Sequence, residues 1–150
     1  MKYRNMWIWP VFGLLFLVMV IAIGWMGSHA YLDSPEWEFI GKYNSASVSP
    51  FQEITEYDDG SLEGDSYGIP VTILKKDQVL TIQFPSDLNR TQTQQLILAM
   101  ADALDMEVPL NEQLDFVNYL GSDLGMSDPH TEIHMTKDQG VIIRKFIKES

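Results

Sequence analysis

The first apolar pattern in the chain is an unbroken run from Met6 to Met26 that contains no charged residue. At ~1.5 Å of rise per residue, a helix over these positions is about 30 Å long, which matches the hydrocarbon core of a bilayer. Tryptophans near both ends suit the headgroup level, and a proline in the first turn costs least there. The pattern predicts a transmembrane helix over residues 6–26, with the membrane-anchor positions Trp7, Trp9, Pro10 and Trp25.

A signal peptide is the alternative for this segment, because Ser28-His29-Ala30 has the small-x-small form of a cleavage site. A typical signal-peptide apolar region is only ~7–15 residues long, so we favour a retained anchor. Lys2 and Arg4 are the only charges before the run, and positive flanks stay in the cytoplasm. We therefore expect a cytoplasmic segment over 1–5, a juxtamembrane connector over 27–50 and an extracytoplasmic domain over 51–150, attached to a bacterial inner membrane with that domain in the periplasm.

The connector permits two local structures. Ser34-Pro35-Glu36 has the form of a helix start, with an N-cap, a proline at the first helical position and an acid in the first turn. From Trp37 onward, however, apolar and polar residues alternate in an imperfect period of two. We favour the second interpretation and predict a strand that begins near Trp37.

After the connector, strand patterns dominate. The segment from Phe51 to Tyr57 predicts a strand, and the acidic stretch 56–68 that follows it is interpreted as a solvated turn with Asp59-Gly60 as the hairpin signal. Calcium binding there is disfavoured because the acids do not have EF-hand spacing. Two further hairpins are predicted, one from residues 71–74 and 79–84 and one within 131–148.

Helical spacing appears only between these hairpins. Thr91 and Gln94 match a capping box, and a stripe of Leu96, Met100, Ala103 and Leu104 follows, with Ile97 beside it. These features predict a helix over about 92–105. A second short helix, with apolar positions at Leu110, Leu114 and Val117, is expected to end at Gly121. Antiparallel strands interrupted once by helices indicate an α+β domain, either a half-barrel or a flat sheet with one or two helices packed on it.

Charge narrows the range of partners. The chain carries ten Lys and Arg against 21 Asp and Glu. Two of the ten precede the apolar run, so the exported part has eight positive and 21 negative groups. This balance argues against nucleic acid and against adhesion to anionic lipid. The absence of cysteine excludes disulfides and thiol–metal chemistry.

Candidate chemistry is sparse. His130, Glu132 and His134 are spaced so that they share one face of a strand, and such a group could begin a metal site. No clear fourth ligand accompanies them, so a polar strand face is the favoured interpretation. The sequence contains no Gly-x-Ser-x-Gly elbow and no glycine-rich phosphate loop. We therefore expect neither an enzyme nor a cofactor.

Four features follow one another along the chain: the single predicted span, Pro35-Glu36-Trp37-Glu38 soon after it, the Tyr57 to Ser61 turn (YDDGS), and the Thr91-started helix between hairpins. This order of elements resembles that of ToxS-type proteins, which are small single-pass partners of membrane-tethered transcription activators. The resemblance implies a periplasmic domain that binds and stabilises a membrane-tethered regulator and shares a pocket for an apolar small ligand with it.

On this hypothesis, aromatic side chains supply core or partner contacts: Trp37, Phe51, Tyr57, Phe84, Phe116 and Phe146. Two alternatives stay open. One is an accessory or assembly subunit of a larger respiratory, photosynthetic or secretion complex of the inner membrane. The other is a periplasmic metal-handling protein that uses the two histidines and Glu132.

Overall fold

The computed structural model describes residues 14–21, 34–86, 89–120 and 123–148. Residues 14–21 form helix α1, whose side chains are exposed. The rest of the predicted span, including Trp7, Trp9, Pro10 and Trp25, lies outside the described residues. Within the described residues, no helix has the length and apolarity needed to cross a bilayer.

Seven strands form one antiparallel sheet. The order across the sheet is β1-β2-β3-β4-β7-β6-β5, so two meanders meet where β4 pairs with β7. The strands are β1 (Gln52–Glu56), β2 (Leu62–Ser66), β3 (Ile69–Lys76), β4 (Val79–Phe84), β5 (Leu124–Ser127), β6 (Thr131–Thr136) and β7 (Gly140–Phe146).

Three helices complete the domain: α2 (Pro35–Ala46), α3 (Arg90–Ala103) and α4 (Leu110–Asn118). Helix α2 packs against α3 and β3, and α4 packs against α3 and β5. Their buried side chains and those of one sheet face form a single core. The predicted α+β class and the two predicted hairpins, β3–β4 and β6–β7, are thus confirmed.

The strand predicted near Trp37 is wrong, and the helical alternative is correct. The side chain of Ser34 accepts a hydrogen bond from the Trp37 N–H at 3.3 Å, which satisfies one free donor of the first turn. The following positions bury Phe39, Ile40 and Tyr43, a helical stripe that outweighs the imperfect alternation. The folded core consequently includes residues that precede Phe51.

Helix α3 is confirmed, but its cap is not the predicted one. The helix begins two residues earlier than the capping box implied, because the Asn89 side chain accepts from the Gln92 N–H at 3.1 Å. The predicted apolar stripe is buried as expected. In α4 the stripe is only partly buried: Leu110 is 64% exposed and Leu114 42%, while Phe116 and Val117 enter the core.

Two short strands were not predicted. The acidic stretch turns at residues 58–60 and then forms β2, in which Leu62, Gly64 and Ser66 face inward and the acids Glu63 and Asp65 lie between them. Strand β5 follows α4, and its four residues carry no β-branched or aromatic side chain. Pairing with neighbouring strands, rather than local propensity, therefore determines both strands.

Candidate functional site: the open face of the sheet

All three domain helices lie on one side of the sheet, so alternation along the strands separates two faces. In the central strands, Val71, Ile73, Ile82 and Ile143 are buried beneath the helices. Their neighbours in sequence point the other way, onto a surface that no described element covers. We call this surface the open face. It consists of Glu63, Asp65, Pro70, Thr72, Leu74, Lys76, Val79, Thr81, Gln83, Gly125, Ser127, Glu132, His134, Thr136, Ile142, Arg144 and Phe146.

Strand register orders these side chains into rows. Gln83 lies beside Thr72 on one side and Ile142 on the other, and Ile142 in turn lies beside His134. In the next row, Leu74, Thr81, Arg144 and Glu132 follow one another across four strands. The first row thus combines hydroxyl, amide, aliphatic and imidazole groups, and the second combines an aliphatic and a hydroxyl group with a guanidinium and a carboxylate.

Aliphatic groups concentrate near the middle of the open face and near one end. Leu74, Val79 and Ile142 are half-buried, although they face away from the core. Val79 is the register partner of Phe146, whose side chain is 42% exposed. Burial of this apolar surface against a partner would stabilise the complex by about 25 cal/mol per Å² removed from water.

A polar groove occupies the other end of the open face. The β6–β7 turn approaches the sheet, and Gln83 Nε2 donates to the Gln139 carbonyl at 3.3 Å. Between them lies a cavity of about 580 Å³, whose lining includes Glu63, Thr72 and Lys137. The groove presents carboxylate, hydroxyl and ammonium groups, which can form hydrogen bonds with a partner's polar side chains or main chain.

The turn that forms the groove depends on a glycine. Gly140 has φ +73°, and a Cβ built on it would lie 2.4 Å from the Phe84 carbonyl oxygen. Any other residue would combine left-handed backbone strain with a clash against β4. Gly140 therefore allows β7 to enter the sheet directly beside the end of β4.

The six aromatic residues predicted as core or partner contacts fall into three groups. Phe51, Phe84 and Phe116 lie in the core. Trp37 is half-buried and packs against the core from α2. Tyr57 and Phe146 are exposed, at 48% and 42%. Phe146 belongs to the open face, and Tyr57, which begins the β1–β2 turn, reaches the margin of that face, where its hydroxyl donates to Glu63 Oε2 at 2.8 Å.

The structure brings together two of the three predicted metal ligands. Glu132 and His134 share the open face of β6, with His134 Nε2 3.6 Å from Glu132 Oε2. His130 precedes the strand, in a turn where its N–H donates to Asp128 Oδ1 at 2.7 Å. In the part of the chain that the structure describes, no three His, Asp or Glu side chains form a group that could hold a metal ion.

Asp128 organises that turn. Its Oδ1 accepts from the N–H groups of His130 and Thr131, and its Oδ2 accepts from the Glu107 N–H, all at 2.7 Å. Partial burial alone would raise the pKa of the Asp128 carboxyl, but the three hydrogen bonds outweigh it and lower that pKa below 3.8. The carboxylate therefore remains charged at neutral pH and ties the β5–β6 turn to the segment after α3.

A smaller cavity lies between α2, α3 and the end of β7. Its volume is about 210 Å³, with Phe39, Leu80 and Ile147 among its apolar lining residues. Lys145 borders the cavity, and its Nζ donates to the Leu104 carbonyl at 2.7 Å, where it satisfies a carbonyl at the end of α3. Pockets for drug-sized ligands usually measure about 300–1,000 Å³, so this cavity is small for such a ligand.

Leu74, Val79 and Ile142, the aliphatic members of the open face, were not among the predicted contacts. The signal that identifies them is the period of two within β3, β4 and β7, where every second residue of an apolar run must leave the core.

Comparisons of the chain with protein-family models, with curated proteins and with solved structures returned no significant match.

Proposed function

We propose that this chain is a single-pass protein of the bacterial inner membrane whose acidic periplasmic domain binds and stabilises a partner membrane protein. The open face is the observation that carries the proposal. It presents half-buried Leu74, Val79 and Ile142 beside a polar groove, while the opposite face of the same sheet is closed by helices. A membrane-tethered regulator is the kind of partner that the layout of the chain favours.

The anchor supports the proposal through concentration. If residues 6–26 span the membrane, the domain and its partner diffuse in one plane, and two tethered modules meet at a much higher effective concentration than free ones. An interface of modest area then suffices for stable association. The charge of the domain, with 21 acids in the chain, favours a partner whose contact surface is basic.

Affinity purification of the tagged full-length protein from its native membrane, in mild detergent, tests this function. Ile142→Glu places a charge on the open face, whereas the control Gln95→Glu places the same charge on the exposed surface of α3. We expect one single-pass protein to accompany the wild type and the control, and to be lost with Ile142→Glu. A stoichiometric set of polytopic subunits would indicate an accessory subunit instead, and an unchanged yield with Ile142→Glu would contradict the role of the open face.

A further inference from the structure

The two edges of the sheet differ in how they are protected. At β1, the register shifts between Gln52 and Thr55, and Glu53 has φ +53°. The strand also carries two glutamates, Glu53 and Glu56. A bulge and charged side chains are devices by which natural sheets prevent an edge from pairing with another strand. The β1 edge is therefore closed to a further strand.

At β5, the edge has none of these devices. Its four residues, Leu124 to Ser127, pair with β6 without a register shift and include neither a charge nor a proline. Within the described residues, no backbone group outside β6 is hydrogen-bonded to β5. An uncharged, regular edge of this kind is a template for main-chain pairing.

The hydrogen-bond pattern identifies which groups are available at the β5 edge. The Asp128 N–H donates to the Thr131 carbonyl at 2.9 Å, and bonds alternate along an antiparallel ladder. Met126 therefore exchanges bonds with β6, while Gly125 and Ser127 direct their N–H and C=O groups away from it. Both of these residues are also exposed.

Charge at the ends of β5 selects the occupant. Asp123 and Asp128 flank the strand, and the three backbone donors that hold Asp128 fix its carboxylate in place. Antiparallel pairing of two copies around Met126 would bring Asp123 of one copy near Asp128 of the other, at both ends. Each copy also has a formal charge of −11, so charge repulsion disfavours self-association.

We infer that β5 accepts an extended strand of a different protein, with Lys or Arg at both ends, as an eighth strand of the sheet. The inference rests on the proposed function and specifies how the partner is bound. The added strand continues the open face past Gly125 and Ser127, so that main-chain bonds at the edge supply affinity and side chains on that face supply specificity.

A synthetic peptide, Lys-Val-Thr-Val-Thr-Lys, serves as the probe, with its Glu-ended counterpart as the charge control. Binding to the full-length protein in non-ionic detergent is followed by the amide NMR shifts of Gly125 and Ser127. Ser127→Pro removes one edge donor, and Ser127→Ala retains it. We expect the proline variant to bind the probe about tenfold more weakly and the alanine variant to bind as the wild type does.

Asp123→Asn provides a second variant that does not depend on proline being tolerated. An asparagine can still accept the bond that Asp123 Oδ1 receives from the Lys137 N–H at 3.2 Å, but it lacks the charge. We expect Asp123→Asn to bind the Lys-ended probe more weakly than the wild type does. We expect the wild type to bind the Glu-ended probe only slightly. Equal affinity of the two probes, or shifts that do not include Gly125 and Ser127, would overturn the inference.

Three further outcomes are informative, and the first and the last of them separate the edge from the proposed function. If a partner co-purifies equally well with Ser127→Pro and with Ser127→Ala, the proposed function stands and the β5 edge is not the binding site. Sedimentation of the wild type as a dimer that Ser127→Pro converts to a monomer would overturn the inference in favour of a second copy. If the probe binds as expected but no partner co-purifies, the edge is confirmed and the proposed function fails.

Discussion

A buried hydrogen-bond chain between α2 and β2 gives a quantitative test of the fold. Tyr43 is fully buried, and its hydroxyl lies 2.7 Å from Ser66 Oγ. Ser66 Oγ donates to the Ser49 carbonyl at 2.7 Å, so the tyrosine must be the donor in the first bond. The ring of Tyr43 also packs against Phe51, with ring centroids 4.6 Å apart. These two hydrogen bonds therefore hold α2, the loop after it and β2 together.

Substitutions of Tyr43 and of Ser66 should lower the free energy of unfolding by different amounts. Tyr43→Phe keeps the ring and removes one hydrogen bond, which lowers the free energy of unfolding by about 1 kcal/mol. Ser66→Ala removes the acceptor of the tyrosine hydroxyl and the donor to the Ser49 carbonyl, so we expect about 2 kcal/mol. In the double variant the hydroxyl is gone, and its cost should be no greater than that of Ser66→Ala alone.

Urea unfolding of the full-length protein in detergent, followed by far-UV circular dichroism, measures these differences. For a domain of this size, 1 kcal/mol corresponds to a midpoint shift of roughly 0.5–1 M urea. Costs that simply add in the double variant would refute the proposed coupling. Equal costs of the two single variants would show that Ser66 does not bridge Tyr43 and Ser49.

The same tyrosine predicts a pH effect. Burial raises the pKa of the Tyr43 hydroxyl above 10.0, because the apolar core disfavours the charged phenolate. Above pH 10 the unfolded state releases this proton before the folded state does, so the contribution is complete below about pH 10 and is lost as pH rises through the folded pKa. Tyr43→Phe should show a smaller alkaline loss of stability than the wild type, and an identical loss would contradict this assignment.

Three further predictions use the same unfolding assay. Glu36 is buried and its Oε1 accepts from the Lys75 N–H at 3.0 Å, so Glu36→Ala should cost about 1–2 kcal/mol and Glu36→Gln much less; equal costs would exclude the bond. Gly140→Ala should cost about 3 kcal/mol. Gly60→Ala should cost about 1 kcal/mol, because φ there is +82° but the added Cβ would have no atom within 4 Å beyond its chain neighbours. Asp128→Ala should cost about 1–2 kcal/mol at pH 7. Because the pKa of Asp128 is lowered in the folded state, this difference in stability should shrink as the pH falls through that folded pKa. A difference that does not change with pH would contradict the role of the carboxylate.

Sequence patterns were sufficient for the elements that local and mid-range rules determine. The hairpins β3–β4 and β6–β7 have apolar β-branched runs on both sides of a short turn, and α3 has a complete helical stripe. Strands β2 and β5 lacked such signals, because their positions depend on partners elsewhere in the sheet. For α2, the capping signal of Ser34 and Pro35 indicates the correct element, a helix, whereas the alternation from Trp37 onward indicates a strand.

The candidate site was less accessible to sequence analysis than the fold. Aromatic residues were a poor guide, since Phe51, Phe84 and Phe116 are needed to fill the core. Which face of the sheet the helices cover follows only from three-dimensional packing, and this choice makes Leu74 and Ile142 surface residues. The alternation within each strand identifies the two faces, but it cannot assign one of them to solvent.

Site-specific photo-crosslinking in living cells tests the central claim, partner binding through the open face, most directly. A photoreactive amino acid placed at Ile142, in the middle of that face, is compared with one at Gln95, which is exposed on α3. The account predicts one discrete crosslinked adduct with a membrane protein from position 142 and none from position 95. The same adducts from both positions, or no adduct from position 142, would contradict it.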